Sequence, residues 1–210
     1  MRFPLMSNEE RNNRVSSNVN TGHLTVYTGP MFSGKTEALI SDVRRTSLAR
    51  RKVLFFSPEV DTRHQGKIIS HQGQDLENQT GIRPVIIKDF DDITLPPSVG
   101  LIAIDEAQFF GPDVVSAVEL FLQSGRRVSV AGLDLDSKGA PFGVMPFLLG
   151  LADEVVKCKA VCMDCGEPAT RTYCHAPPLV NSTVLIGSSE VYQAMCLKCW
   201  FENRQMDDFR

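Results

Sequence analysis

A chain of 210 residues with 42% hydrophobic and 22% charged side chains has an ordinary globular composition, and its length suits one core plus a small appendage. A formal net charge of −3 and a sequence pI near 5.8 give no basic surplus of the kind a duplex-binding protein needs, and no apolar run reaches the ~18 residues of a membrane span. Six cysteines, four of them in C-x-x-C pairs, predict a metal site in a reducing compartment rather than disulfides, and hence a cytoplasmic protein.

Residues 1–21 are polar and rich in Asn, Ser and Arg. They predict a disordered arm, or one that docks on another subunit, and the run Phe3-Pro4-Leu5-Met6 is too short for a signal peptide. A strand is predicted over His23–Thr28. It runs into Gly29-Pro30-Met31-Phe32-Ser33-Gly34-Lys35-Thr36, which matches G-x-x-x-x-G-K-[ST] at every fixed position. The helix that follows places Leu39, Ile40, Val43 and Ser47 on one face and Arg44, Arg45, Arg50 and Arg51 toward its far end. Further strands are predicted over 52–56, 84–88, 101–104 and 127–131, and helices over 114–123 and 146–152. Between Asp61 and Gly81 the chain is polar and is expected to be mobile until a ligand orders it.

Apolar strands alternating with helices predict an α/β fold, a parallel sheet with helices on both faces. Composition shifts to cysteines and turns after residue 157. We therefore expect an arm at 1–21, a nucleotide-binding domain at 22–157, a metal-binding domain at 158–203 and a tail at 204–210.

The glycine motif between strand and helix predicts phosphate binding. Glycines let successive backbone N–H groups turn toward one anion, and the positive end of the helix adds to the attraction. Lys35 is then expected to reach the β- and γ-phosphates, and the Thr36 hydroxyl to hold Mg²⁺. After the apolar run 101–104 come Asp105 and Glu106, at a strand's carboxyl end where parallel sheets line a ligand crevice. Asp105 is expected at Mg²⁺ through water and Glu106 at a nucleophile. If Glu106 activates water the protein is an ATPase; if it activates a substrate hydroxyl, a kinase. The loop does not separate the two, and one form of the first is a zinc-ribbon P-loop ATPase that works on nucleic acid or serves as a switch module. Arg63 either stabilises charge on a transferring phosphoryl group or is an ordinary solvated arginine.

Cys162-x-x-Cys165 and Cys196-x-x-Cys199 present four thiolates, which fits a closed, structural Zn²⁺ site. The interval 166–195 is longer than the usual ~15–20 residues and must hold a hairpin or loop of its own. Cys158 and Cys174 leave other pairings open, Cys158-x-x-x-Cys162 among them. Within the interval, 183–186 predicts a strand running into Gly187-Ser188-Ser189-Glu190-Val191-Tyr192. That turn either brackets a flat ligand or is an ordinary hairpin.

These motifs in this order, together with Asp61-Thr62-Arg63, Asp105-Glu106-Ala107-Gln108-Phe109-Phe110, Gly132-Leu133-Asp134 and Pro141-Phe142-Gly143, make the chain resemble the zinc-containing thymidine kinase family over about residues 22–203. The resemblance implies a RecA-like P-loop sheet plus a small C-terminal zinc-ribbon domain whose lasso loop closes over a nucleoside. It implies ATP, Mg²⁺ and structural Zn²⁺, with thymidine and deoxyuridine as phosphoryl acceptors. Glu106 becomes the base for the 5′-hydroxyl, and Lys35 and Arg63 the phosphoryl stabilisers. Met31, Phe109, Leu133 and Phe142 become walls around the nucleobase, and Ile186, Gly187 and Tyr192 the nucleoside clamp. It also implies a homotetramer inhibited by dTTP; the acidic balance and the lack of a long apolar run predict no nucleic-acid or membrane partner. One position departs from the family pattern: Ser137 stands where an aromatic is usual.

Overall fold

Strands apolar on both sides need cover on both sides, and that requirement organises the molecule. The structure, a computed structural model, describes residues 22–60, 75–91, 93–175 and 191–207, together with Ile68 and Gly73. Strands β1 (His23–Thr28), β2 (Lys52–Pro58), β3 (Val85–Ile87), β4 (Val99–Ile104), β5 (Arg127–Gly132) and β6 (Glu154–Lys157) form one sheet in the order β3-β2-β4-β5-β1-β6. Every neighbouring pair is parallel.

Alternation along each strand sorts the core into two layers. Tyr27, Val53, Phe55, Leu101, Ala103 and Ala131 face helix α1 (Lys35–Leu48), and Ile68 and Leu76 close that layer. Leu24, Val26, Phe56, Ile102, Ile104, Val128 and Val130 face α3 (Asp113–Gln123) and α4 (Met145–Leu151), with Phe90 packed edge-on against Phe56 and Phe110. This is the two-sided α/β fold the sequence predicts.

Local expectations are adjusted in three places. On α1 the buried face carries Asp42 and Thr46, and Ser47 is only half-buried. Asp42 is tolerated there because Ser129 donates to it at 2.5 Å and Arg127 lies 3.4 Å away, so the carboxylate is paired rather than stranded. The polar stretch before Gly81 ends in a short helix, α2 (Leu76–Thr80), capped by the Asp75 side chain and anchored by the buried Leu76. Residues 154–157, for which the sequence predicts no strand, are an edge strand beside β1.

Beyond residue 157 the elements are short. Strands β7 (Ala160–Val161) and β8 (Pro168–Ala169) pair antiparallel, as do β9 (Arg171–Cys174) and β10 (Tyr192–Met195). Helix α5 (Leu197–Asp207) follows and runs past residue 203. Their core is Ala160, Ala169, Tyr173, Ala194, Met195 and Trp200 around the buried Cys162 and Cys199. Among the described residues no helix is long and apolar enough to cross a membrane.

Candidate active site

Because the strands are parallel, the segments leaving β1, β4 and β5 emerge along one edge of the sheet. Strand β5 lies between the strand that feeds the glycine loop and the strand that feeds Asp105. That edge carries Gly29–Thr36, Asp105–Glu106 and Leu133 side by side.

The loop is built on close approach. Gly29 has φ 139°, and a Cβ there would overlap the Cys158 carbonyl. Phe32 also sits in the left-handed region, at φ 65°, a conformation that costs a residue with a side chain roughly 1–2 kcal/mol. Two contacts hold it. The Met31 N–H donates to the buried Thr172 hydroxyl at 3.0 Å, and the Phe32 ring packs on the apolar core of the cysteine-bearing unit. Ser33 Oγ and Lys35 Nζ both donate to the Pro30 carbonyl, at 2.8 and 2.7 Å. Burial pushes the Lys35 ammonium below the ordinary lysine range, against the pull of Glu106 and Asp105. A desolvated cation on a glycine-rich loop at the N-terminus of a helix is matched to a polyanion.

Thr36 Oγ1 lies 3.4 and 3.3 Å from the two oxygens of the buried Asp105. A hydroxyl beside a carboxylate is the hard oxygen donor set that Mg²⁺ takes. Glu106 follows with φ 50° and ψ 42°, and its N–H is bound by Asp105 Oδ1 at 3.0 Å. It opens a 3₁₀ turn over Ala107–Phe109. From that turn the buried Gln108 donates to Glu106 Oε2 and accepts from the Leu133 N–H.

An aromatic corner begins in the same turn, at Phe109. Phe109 and Phe142 meet edge to face at 5.7 Å. The Phe142 N–H bonds the carbonyl of Asp134, whose carboxylate pairs with Lys157 at 2.9 Å. Between Leu135 and Pro141 the chain turns back on itself. The Asp136 side chain caps the N–H groups of Lys138 and Ala140, leaving Ser137 half-buried at the tip. Gly139 lies under Trp200, and Arg204 donates to the Lys138 carbonyl at 2.7 Å. Met31 reaches this region through Thr172, which pairs with Ala194; Tyr192 lies two residues before Ala194 on β10. Arg63, Ile186 and Gly187 lie outside the described residues.

The sulfurs of Cys162, Cys165, Cys196 and Cys199 lie within 4.8 Å of one another, with Cys165 and Cys196 at 3.7 Å. Burial raises the Cys162 thiol, but backbone N–H groups of Cys196, Cys165 and Asp164 outweigh it and bring the pKa down to about 6. A thiolate held by amides in a four-sulfur cluster is the donor set of structural zinc. Cys158 stays with the main sheet, its N–H on the Thr28 carbonyl, so it is not part of this cluster.

Two site residues carried no role in the sequence. Gln108 was legible only as part of a motif, and Thr172 carried no signal at all, because its partner Met31 lies 141 positions away.

A parallel sheet, a phosphate loop and a carboxylate pair one strand removed define a P-loop nucleotide-binding protein, here with a four-thiolate unit packed on the loop. Comparison with known proteins narrows the class. The family described as thymidine kinase matches residues 22–200. The chain is also similar to the thymidine kinase of Deinococcus radiodurans, 42% identical over 185 residues that cover 83% of this chain and 87% of that protein. The chain belongs to the thymidine kinase family.

Proposed function

We propose that this protein transfers the γ-phosphoryl group of ATP to the 5′-hydroxyl of thymidine, and of deoxyuridine, giving the nucleoside monophosphate and ADP. The observation that carries this reading is the meeting of Lys35 and Thr36 with Asp105 and Glu106 at one sheet edge, in a chain of this family. Glu106 takes the proton of the 5′-hydroxyl, and the freed oxygen lone pair attacks phosphorus as the bond to ADP breaks. Lys35 and Arg63 stabilise charge on the phosphoryl oxygens. Gly29, Pro30, Met31, Phe32, Ser33 and Gly34 form the phosphate cradle. Thr36 and Asp105 hold Mg²⁺, and the four cysteines hold Zn²⁺.

Met31, Phe109, Leu133 and Phe142 wall the nucleobase, and Tyr192 with the backbone of Ile186 and Gly187 clamps it. The resemblance further supports a cytoplasmic homotetramer inhibited by dTTP. The deciding experiment offers labelled ATP with thymidine, deoxyuridine, deoxycytidine or water as acceptor. Label on thymidine and deoxyuridine supports the reading. Label released to water alone, whatever the nucleoside, replaces it with an ATPase.

Ser137 tests the nucleoside pocket. The turn that bears it is fixed by Asp136, so a new side chain adds a ring without redirecting the backbone. Partial burial of a phenylalanine against a nucleobase is worth about 1–2 kcal/mol of the roughly 1.5–3 available to a fully buried ring. Ser137→Phe is therefore expected to lower KM for thymidine by about 5- to 30-fold with KM for ATP unchanged. Equal changes in both constants, or none in either, would place Ser137 outside the pocket.

A further inference from the structure

Glu106 is proposed above as the base, yet its backbone does not by itself aim a carboxylate. It sits alone in the left-handed region at the head of a short turn, where the side chain has several staggered choices. The buried Gln108 removes that freedom. Its amide nitrogen donates to Glu106 Oε2 at 2.5 Å, and its amide oxygen accepts from the Leu133 N–H at 3.0 Å. The two partners fix the amide's orientation without ambiguity, since a carboxylate only accepts and a backbone N–H only donates. A bond to an ionised acceptor is also stronger than a neutral one.

The surroundings are shaped for this amide. A Cβ on Gly132 would stand 2.8 Å from the amide oxygen. One on Gly143, at φ 51°, would overlap the Gln108 carbonyl, so the turn bearing Phe142 rests directly on this residue. Gln108 therefore touches both segments that supply the pocket walls, the end of β5 with Leu133 and the turn with Phe142. It touches the reacting carboxylate as well. Charge also acts at Glu106: Lys35 attracts it, and Asp105 binds its N–H while repelling its side chain.

We propose that Gln108 is a positioning residue that locks the Glu106 carboxylate to the nucleoside-pocket wall, so that the base and the bound nucleoside share one frame. The inference rests on the reading of Glu106 as the base. It predicts that Gln108 acts on kcat through Glu106, while any effect through the Leu133 wall is read in KM for thymidine. Misplacing a reacting group by about 1 Å costs up to ~10²-fold.

The test is a double-mutant cycle on the full chain. Gln108→Met keeps the side chain's length and removes both hydrogen bonds. Gln108→Glu keeps an acceptor for the Leu133 N–H and replaces the donor with a second carboxylate. Each is expected to lower kcat by roughly 10- to 100-fold with KM for ATP unchanged. In the Glu106→Gln background the same substitutions are expected to change kcat by less than about 3-fold, because the group they act through is gone. Thermal melting and binding of a non-hydrolysable ATP analogue confirm that each variant is folded; if Gln108→Met is not, Gln108→Glu decides by the same cycle. Equal losses in both backgrounds would make Gln108 a space-filling residue and overturn the inference while leaving the base in place. Undiminished kcat in the single variants would also overturn it. Near-parental turnover in Glu106→Gln alone would instead remove the base, and the inference with it.

Discussion

Glu106→Gln is expected to cut turnover by about 10²-fold or more while thymidine and ATP still bind close to normally. A positioned general base contributes roughly 10²–10⁴-fold, and the amide is nearly isosteric but cannot take the proton. Its oxygen can still accept from Gln108, so the turn and the Leu133 wall keep their places. The phosphate loop owes its shape to Pro30, Thr172 and the Phe32 packing rather than to Glu106. One secondary effect follows from charge. Glu106 is the carboxylate that does most to keep the desolvated Lys35 protonated. Without it Lys35 loses its proton at a lower pH, so the alkaline fall in ATP affinity moves to lower pH in the variant. Single-turnover phosphate transfer, with ATP binding measured alongside, checks both statements. Turnover near that of the parent chain would remove Glu106 from the base role.

The fold was legible because the parallel strands are apolar on both faces, which makes runs such as Leu101-Ile102-Ala103-Ile104 stand out from sequence alone. Strand β6 was not, since an edge strand with Glu154 and Lys157 at its ends needs no apolar run. The α1 face was misread at one step for a related reason. Periodicity assumes that buried means apolar, and Asp42 is buried because Ser129 and Arg127, 87 and 85 positions away, satisfy it. In the site, the glycine loop and the Asp105-Glu106 pair are local patterns, and local patterns survive in a sequence. What holds them does not: Gln108 bonds the Leu133 N–H, 25 positions on, and the Met31 N–H bonds Thr172. Such bonds exist only once the sheet has assembled.

The link from Thr172 to Met31 would give a Zn²⁺ held by the four cysteines a consequence beyond its own unit. Structural Zn²⁺ contributes about 10–16 kcal/mol to zinc-finger peptides, and that binding free energy is folding free energy. Here the unit's apolar core is small, and two of its buried members, Cys162 and Cys199, belong to the thiolate cluster. Without a cation the four sulfurs, all within 4.8 Å, have nothing to hold them together as thiolates. Chelation, or Cys162→Ser, is therefore expected to unfold the described segments after residue 157. Strand β9 then no longer presents Thr172 to the Met31 N–H, and Phe32 loses the surface that holds it in the left-handed region. Losing one hydrogen bond of about 1–1.5 kcal/mol lowers affinity for an ATP analogue by up to roughly tenfold. The chain's single tryptophan makes the first step readable: Trp200 is buried in this unit, with its indole N–H on the Thr172 carbonyl at 3.2 Å. Metal removal is expected to shift its emission to the red before the far-ultraviolet circular dichroism of the main sheet is lost, with nucleotide affinity falling alongside the emission shift. Unchanged emission and undiminished nucleotide binding in protein shown to be free of zinc would sink both the structural role of the metal and its reach to the phosphate loop.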